Sequence, residues 1–194
     1  MSSTAYGHAG PVTEEEYLSL GETPERVELF DGRIEVSPSP TPAHQRISRR
    51  IANALDGPAL DRGFEVFEAI NVRLLRERIA IPDLVVLDTL GLDQLVADAQ
   101  RVQLVCETIS PTNAANDRVL KMRYYAEAGI PFYLLANPEP GLTLQLFRLA
   151  GDRYVFEHEA GPGLTLRLSE PVEVELDPDE LQRRTTPRRP DRLG

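Results

Sequence analysis

Apolar and polar side chains alternate on both sides of Asp31-Gly32 in the stretch Val27 to Val36, VELFDGRIEV, which predicts a β-hairpin. Just before it, Thr13-Glu14-Glu15-Glu16 predicts a capping box that opens a short helix running through Leu20. The SPSPTP stretch then breaks regular structure. After it Ile47, Ile51 and Leu55 recur every four residues and form one apolar helix face, with Arg46, Arg49, Arg50 and Asn53 on the other side. Gly57-Pro58 limits the most regular part of that helix, and Ala59 and Leu60 can extend it past a kink.

Three strands are predicted next, over Phe64 to Leu74, Ile79 to Leu87 and Val102 to Ile109. The second and third are continuous apolar runs, the pattern of central strands buried on both faces. LGLDQLVADAQ, between these two, reads as a loop with a short helix. A further helix is expected from about Ala114 to Ala128, with Leu120, Tyr124 and Ala128 on one stripe and Gly129 just past its end. Ile130 to Ala136 is another apolar strand. From Leu142 onward short alternating strands with Gly-rich turns predict an antiparallel annex. The chain therefore reads as α/β with a mixed sheet. Residues 1–12 are expected to be a flexible N-terminus, and the Arg- and Pro-rich stretch 182–194 a disordered tail.

Length and composition add exclusions. A chain of 194 residues fits one domain large enough to bury a real core, and 41% hydrophobic with 27% charged residues argues against wholesale disorder or a fibre. No apolar run reaches the roughly 20 residues of a membrane span, and the start of the chain resembles no signal peptide, so no membrane partner and a cytoplasmic address are expected. The one cysteine, Cys106, forms no internal disulfide and reads as a buried small hydrophobe. With 31 acids against 21 bases the net charge is −10, which argues against a generic nucleic-acid coat protein and still permits a pocket of carboxylates that recruits a hard cation.

Among the bases only one is lysine, Lys121. An ammonium is a compact point charge that arginine does not replace. Asp83 in IPDLVVL and Glu107 in LVCETIS interrupt apolar runs where a structural strand favours Val or Ile, and a buried carboxylate must be paired, hydrogen-bonded or metal-bound. Each has a plainer reading: Pro82-Asp83 bending the chain, Glu107 pairing with an arginine, Lys121 pairing with Asp117 one turn earlier. Yet a strand ending in an acid, a Ser-Pro-Thr turn and a helix returning over the sheet could unite Glu107 with Lys121. His44 reads as a helix-start residue more readily than as a phosphate contact. Tyr124 and Tyr125 read as core packing, and Arg46, Arg49 and Arg50 as a solvated face before a phosphate-tracking one. His8 and His158 are given no role.

At these residues the chain resembles the Uma-two restriction-endonuclease family, within the PD-(D/E)XK nuclease superfamily. The matching text is VELFDGRIEVSPSPTPAHQRI, IPDLVVL, LVCETISPT and NDRVLKMRYYAEAGIPFYLL, in the family's order, from about Thr13 to Arg148 and loosely to Leu181. The resemblance implies one restriction-endonuclease-like domain over 13–181, a mixed sheet with helices on both faces. It further implies that Asp83 and Glu107, with the Thr108 backbone carbonyl, hold Mg2+ or Mn2+, that Lys121 is a catalytic lysine moved from the strand to the following helix, and that Glu28 is an additional acid. Glu28 also reads simply as an exposed strand acid. Ile109, two residues after Glu107, stands where the superfamily's short motif has lysine. The implied activity is metal-assisted hydrolysis of phosphodiesters, with DNA as the expected partner and a two-fold homodimer suited to cutting both strands. The rival classes are a silent scaffold that keeps the fold, and a hydrolase of small phosphate esters.

Overall fold

The computed structural model describes residues 10–88, 94–109 and 115–183, with side chains at 115–118 left aside. Thr13 caps α1 (Glu14–Leu18) through the expected capping box, and the helix ends two residues before the expected Leu20. The hairpin forms as read: β1 (Arg26–Phe30) pairs antiparallel with β2 (Arg33–Ser37). Asp31 and Gly32 both have positive φ, 52° and 75°, as a two-residue turn matching strand twist requires. The segment expected to be flexible through residue 12 is anchored at its end, because Val12 is buried and its N–H donates to Gly32 O at 2.8 Å.

Thr41 caps α2 (Pro42–Asp61), which continues through Pro58 and takes in Ala59 and Leu60, the extension the sequence allowed. The two long strands expected next are each split. Phe64 to Leu74 becomes β3 (Phe64–Glu68) and β4 (Val72–Leu75), separated at Ala69, whose φ is 53°, and the two halves join different sheets. Ile79 to Leu87 becomes β5 (Arg78–Ala80) and β6 (Leu84–Asp88), because Pro82 interrupts the ladder. The described part of LGLDQLVADAQ contributes β7 (Ala97–Asp98) and one 3-10 turn, Ala99–Arg101; its first residues lie outside the described residues. Then come β8 (Val102–Thr108), α3 (Ala115–Glu127), β9 (Phe132–Asn137), β10 (Thr143–Ala150), β11 (Arg153–Ala160), β12 (Leu166–Leu168), β13 (Val174–Leu176) and α4 (Pro178–Gln182). Gly129, φ 79°, ends α3 with paired bonds from Gly129 N to Ala126 O and from Ile130 N to Tyr125 O.

A six-stranded sheet, in the order β11-β10-β9-β8-β6-β3, forms the centre, and a five-stranded sheet, β2-β1-β5-β4-β7, stands beside it. The annex is thus mostly an extension: β10 and β11 continue the central sheet, and only β12 and β13 pair apart from it. Successive side chains of a strand point to opposite faces, and the central runs show this directly. Leu84, Val86, Leu104 and Cys106 pack with Ile47, Ile51 and Leu55 of α2. Val85, Leu87 and Val105 pack with Tyr124 and Tyr125 of α3 on the other side. Helices therefore cover both faces of the sheet, which is why β6 from Leu84 to Leu87 and β8 from Leu104 to Cys106 are apolar at every position. Each fully buried Ile or Leu contributes roughly 1.5–3 kcal/mol.

Gln182, placed by sequence in the disordered tail, instead ends α4 and bonds to Pro138 O and Leu142 N; 184–194 lie outside the described residues. Among the described residues no helix is long and apolar enough to cross a membrane.

A buried carboxylate and lysine centre

Glu28, Asp83, Thr108 and Lys121 are buried polar residues in a chain whose interior is otherwise almost wholly apolar. They come from four elements. In the register of β6 against β8, Leu84 faces Cys106, so one further step sets Asp83 abreast of Glu107, and the Thr108 N–H donates to Asp83 Oδ2 at 2.8 Å. Glu107 shares the face of Val105, toward α3. Lys121 and Tyr125 lie one helical turn apart on that helix and both reach it, with the Tyr125 hydroxyl donating to Glu107 Oε1 at 2.5 Å and Lys121 Nζ 3.7 Å from the same oxygen. From the neighbouring sheet β1 brings Glu28, which accepts from Lys121 Nζ at 2.8 and 2.9 Å and from the Ile81 N–H at 2.8 Å. The strand-to-helix return read from the sequence thus unites Glu107 with Lys121. The alternative pairing of Lys121 with Asp117 involves a side chain outside the described residues.

Asp83 is the most heavily bonded of the acids. Arg26 Nη1 lies 2.6 Å from Oδ1, and His44 Nε2 lies 2.9 Å from Oδ2. Burial alone pushes its carboxyl up, but the His44 hydrogen bond, the Arg26 charge and the Thr108 N–H prevail and hold it at about 2, below the ordinary 3.8. Glu107 goes the other way. Desolvation is the largest influence; with repulsion from Asp83 and Glu28 it outweighs Lys121 and the Tyr125 hydroxyl and pushes the carboxyl to about 7 from the ordinary 4.5. Two carboxylates abreast in one centre are thereby driven apart, one firmly ionised and the other ready to gain or lose a proton near neutrality. Burial likewise pushes the Cys106 and Tyr125 side chains well up, so the buried thiol is no nucleophile at ordinary pH.

Of three further partners, Arg26 was missed in the sequence, and Tyr125 and His44 were noted there with other roles preferred. Arg26 sits two residues before Glu28 and therefore on the same face of β1. Tyr125, read there as core packing, is fully buried, but its hydroxyl serves Glu107. His44, read as a helix-start residue, is buried against Asp83 instead, because the Pro-rich approach to α2 turns its first inward-facing side chain toward β6. Periodicity places His44 four residues from Ser48, on the inner face of α2, and that spacing was the available signal. Of the three arginines read as one face, Arg50 is tied to the carbonyls of Glu180, Leu181 and Arg183, while Arg49 stays exposed.

A gap of about 30 Å3 lies among Arg26, Pro40, His44, Asp83, Glu107 and Lys121, room for one occupant the size of a water or a bare ion. Among the described residues no three Asp, Glu, His or Cys side chains gather into a metal-binding cluster. The oxygen donors nevertheless suit a hard cation: Glu28, Asp83 and Glu107 bring three carboxylates against two full cationic side chains, and the buried Thr108 Oγ1 has no hydrogen-bond partner.

Comparison with known proteins agrees with this architecture. A crystal structure at 1.96 Å of "a putative nuclease belonging to DUF820" from Anabaena variabilis ATCC 29413 superposes with a TM-score of 0.71, covering 89% of this chain and 98% of that one. At 17% identity the likeness is one of fold. No curated protein matches the chain. The family model described as "Putative restriction endonuclease" matches residues 14–181, nearly the whole of the described chain, and the protein therefore belongs to that family, Uma2.

Proposed function

We propose that the protein is a divalent-metal-dependent nuclease that hydrolyses phosphodiesters of DNA at the centre formed by Glu28, Asp83, Glu107 and Lys121. The observation that carries this reading is the meeting of Asp83, just before β6, and Glu107, near the end of β8, with the chain's single lysine around one small gap. Family membership and the nuclease-named structural neighbour support it.

Asp83, Glu107 and the Thr108 main chain would hold Mg2+ or Mn2+, and when bound such an ion supplies Lewis acidity to the scissile phosphate. The protein's own groups do the rest. Lys121, held between Glu28 and Glu107, presents a fixed ammonium to charge developing on phosphate, and being preorganised it needs no rearrangement at that moment. Tyr125 pins Oε1 of Glu107 and so sets how the rest of the carboxyl faces the gap. The Glu107 carboxyl lies near 7 while no ion is bound, and a cation held there would keep it ionised. Arg26 and His44 keep Asp83 ionised and aimed.

One observation favours a second reading. Both oxygens of Asp83 already accept hydrogen bonds, as a silent scaffold's self-satisfied network would. The test is thermal unfolding with and without Mg2+ or Mn2+, followed by DNA hydrolysis. A stabilisation that disappears in Asp83→Ala, with turnover lost in a folded Lys121→Arg, is the result expected of the nuclease. No cation effect in the wild type, or full turnover in Lys121→Arg, refutes it.

A further inference from the structure

A second, larger hollow opens beside the centre. It measures about 420 Å3, within the range of small-molecule sites, and shares Arg26, Pro40, His44 and Asp83 with the smaller gap, so the two adjoin. Away from the centre its wall is α2. Gln45 and Arg49 stand one turn apart and project in one column, with Ser48 beside them, while Glu68 and Ala69 from the end of β3 form the opposite lip.

Many arginines among the described residues are committed. Arg26, Arg73, Arg78, Arg123, Arg148, Arg167 and Arg183 pair with carboxylates, and Arg50 is tied to carbonyls. Arg49 differs. Among the described residues it has no ion-pair or hydrogen-bond partner, it is exposed, and it lines the hollow that leads to Asp83. A guanidinium offers a planar fork of donors that matches phosphate, and Gln45 and Ser48 add neutral donors of the kind that bind phosphate oxygens and sugar. With −10 overall the protein's wider field repels polyanions, so a local cationic lane is where a strand can enter.

We propose that this hollow is a subsite for one nucleotide of the substrate strand next to the cleaved linkage, with Arg49 on the flanking phosphate and Gln45 and Ser48 on phosphate or sugar. It rests on the nuclease reading and adds where the strand runs: along the N-terminal half of α2, across His44, and into the carboxylate and lysine centre. Glu68 on the opposite lip works against phosphate and limits affinity.

The test measures binding without turnover. Fluorescence anisotropy of a labelled single-stranded oligonucleotide, and of the same sequence as a duplex, is followed in EDTA between 50 and 200 mM NaCl for the full chain. Arg49→Ala is expected to weaken binding about tenfold and to reduce the slope of log affinity against log salt by roughly 0.7–0.9, the share of one phosphate contact. Glu68→Gln is expected to tighten binding a few-fold, a gain that misfolding does not produce. Arg62→Ala, at the far end of α2, is expected to bind as the wild type does. Unchanged affinity and slope in Arg49→Ala, or a free mononucleotide that binds as tightly as the oligonucleotide, overturns the subsite. The cation-induced thermal shift is read on the same protein preparations after EDTA has been removed and Mg2+ or Mn2+ added. A shift without Arg49-dependent binding leaves the metal centre and removes the subsite, and Arg49-dependent binding without a shift does the reverse.

Discussion

Glu107→Gln isolates the charge of one buried carboxyl while keeping its shape. In the unfolded chain this group releases its proton near 4.5, whereas in the folded protein desolvation and the neighbouring acids delay release to about 7. Across that window the folded state binds the extra proton, so stability falls as pH rises. At 1.36 kcal/mol for each tenfold change, the folded wild type carries a burden of about 3 kcal/mol at pH 8 and about 1 kcal/mol at pH 5. The glutamine carries neither. Urea unfolding at the two pH values, in EDTA and followed by fluorescence or circular dichroism, should find the variant's advantage larger at pH 8 by about 2 kcal/mol. In thermal melts that is a differential of several degrees for a domain of this size. An equal difference between variant and wild type at both pH values would refute the assignment of an uncompensated charge to Glu107.

The other predictions concern the partners and the frame. Asp83, held at about 2, contributes stability that is fully present above 3.8 and is lost as pH falls toward 2; acid titration of unfolding in wild type against Asp83→Asn should recover about 2 kcal/mol from that window. Lys121→Met strips Glu28 of its cation while leaving it 1% exposed, and is expected to cost about 3–5 kcal/mol in chemical denaturation, much more than Arg167→Met, whose ion pair is exposed. Gly32→Ala places a Cβ 2.8 Å from the Pro11 Cβ at a φ of 75°, and should lower stability by about 1–3 kcal/mol, visible as a lower melting temperature. Leu104→Ala, in the middle of β8 and wholly buried, should cost about 2–5 kcal/mol.

Much of the architecture is legible one residue at a time because local rules suffice for it. The capping box at Thr13, the turn at Asp31-Gly32 and the glycine that ends α3 are each set by neighbours within a few positions. So is the β6 and β8 pattern: continuous apolar runs mean two covered faces. The split strands are the instructive exceptions. Phe64 to Leu74 carries strand formers on both sides of Ala69 and Asn71, and nothing in the stretch tells that its two halves join different sheets. The same holds for β10 and β11, whose alternation is equally at home in an annex or as an extension of the central sheet.

At the centre the division is sharper. Residue type alone nominated Asp83, Glu107 and Lys121, since an acid inside an apolar run and a solitary lysine are anomalies visible in one dimension. Their environments were not visible. Whether a carboxyl sits at about 2 or about 7 depends on which cations, amides and hydroxyls reach it, and Arg26, His44 and Tyr125 arrive from 57, 39 and 18 residues away in the chain. Amino-acid order determined which side chains could ionise, cap or pack, because those are properties of each residue and its near neighbours. Only the tertiary fold decided which acid stays charged, which lysine oxygen contacts form and which arginine lines the hollow beside the centre, because desolvation and Coulomb interactions act through space between groups that sequence keeps far apart.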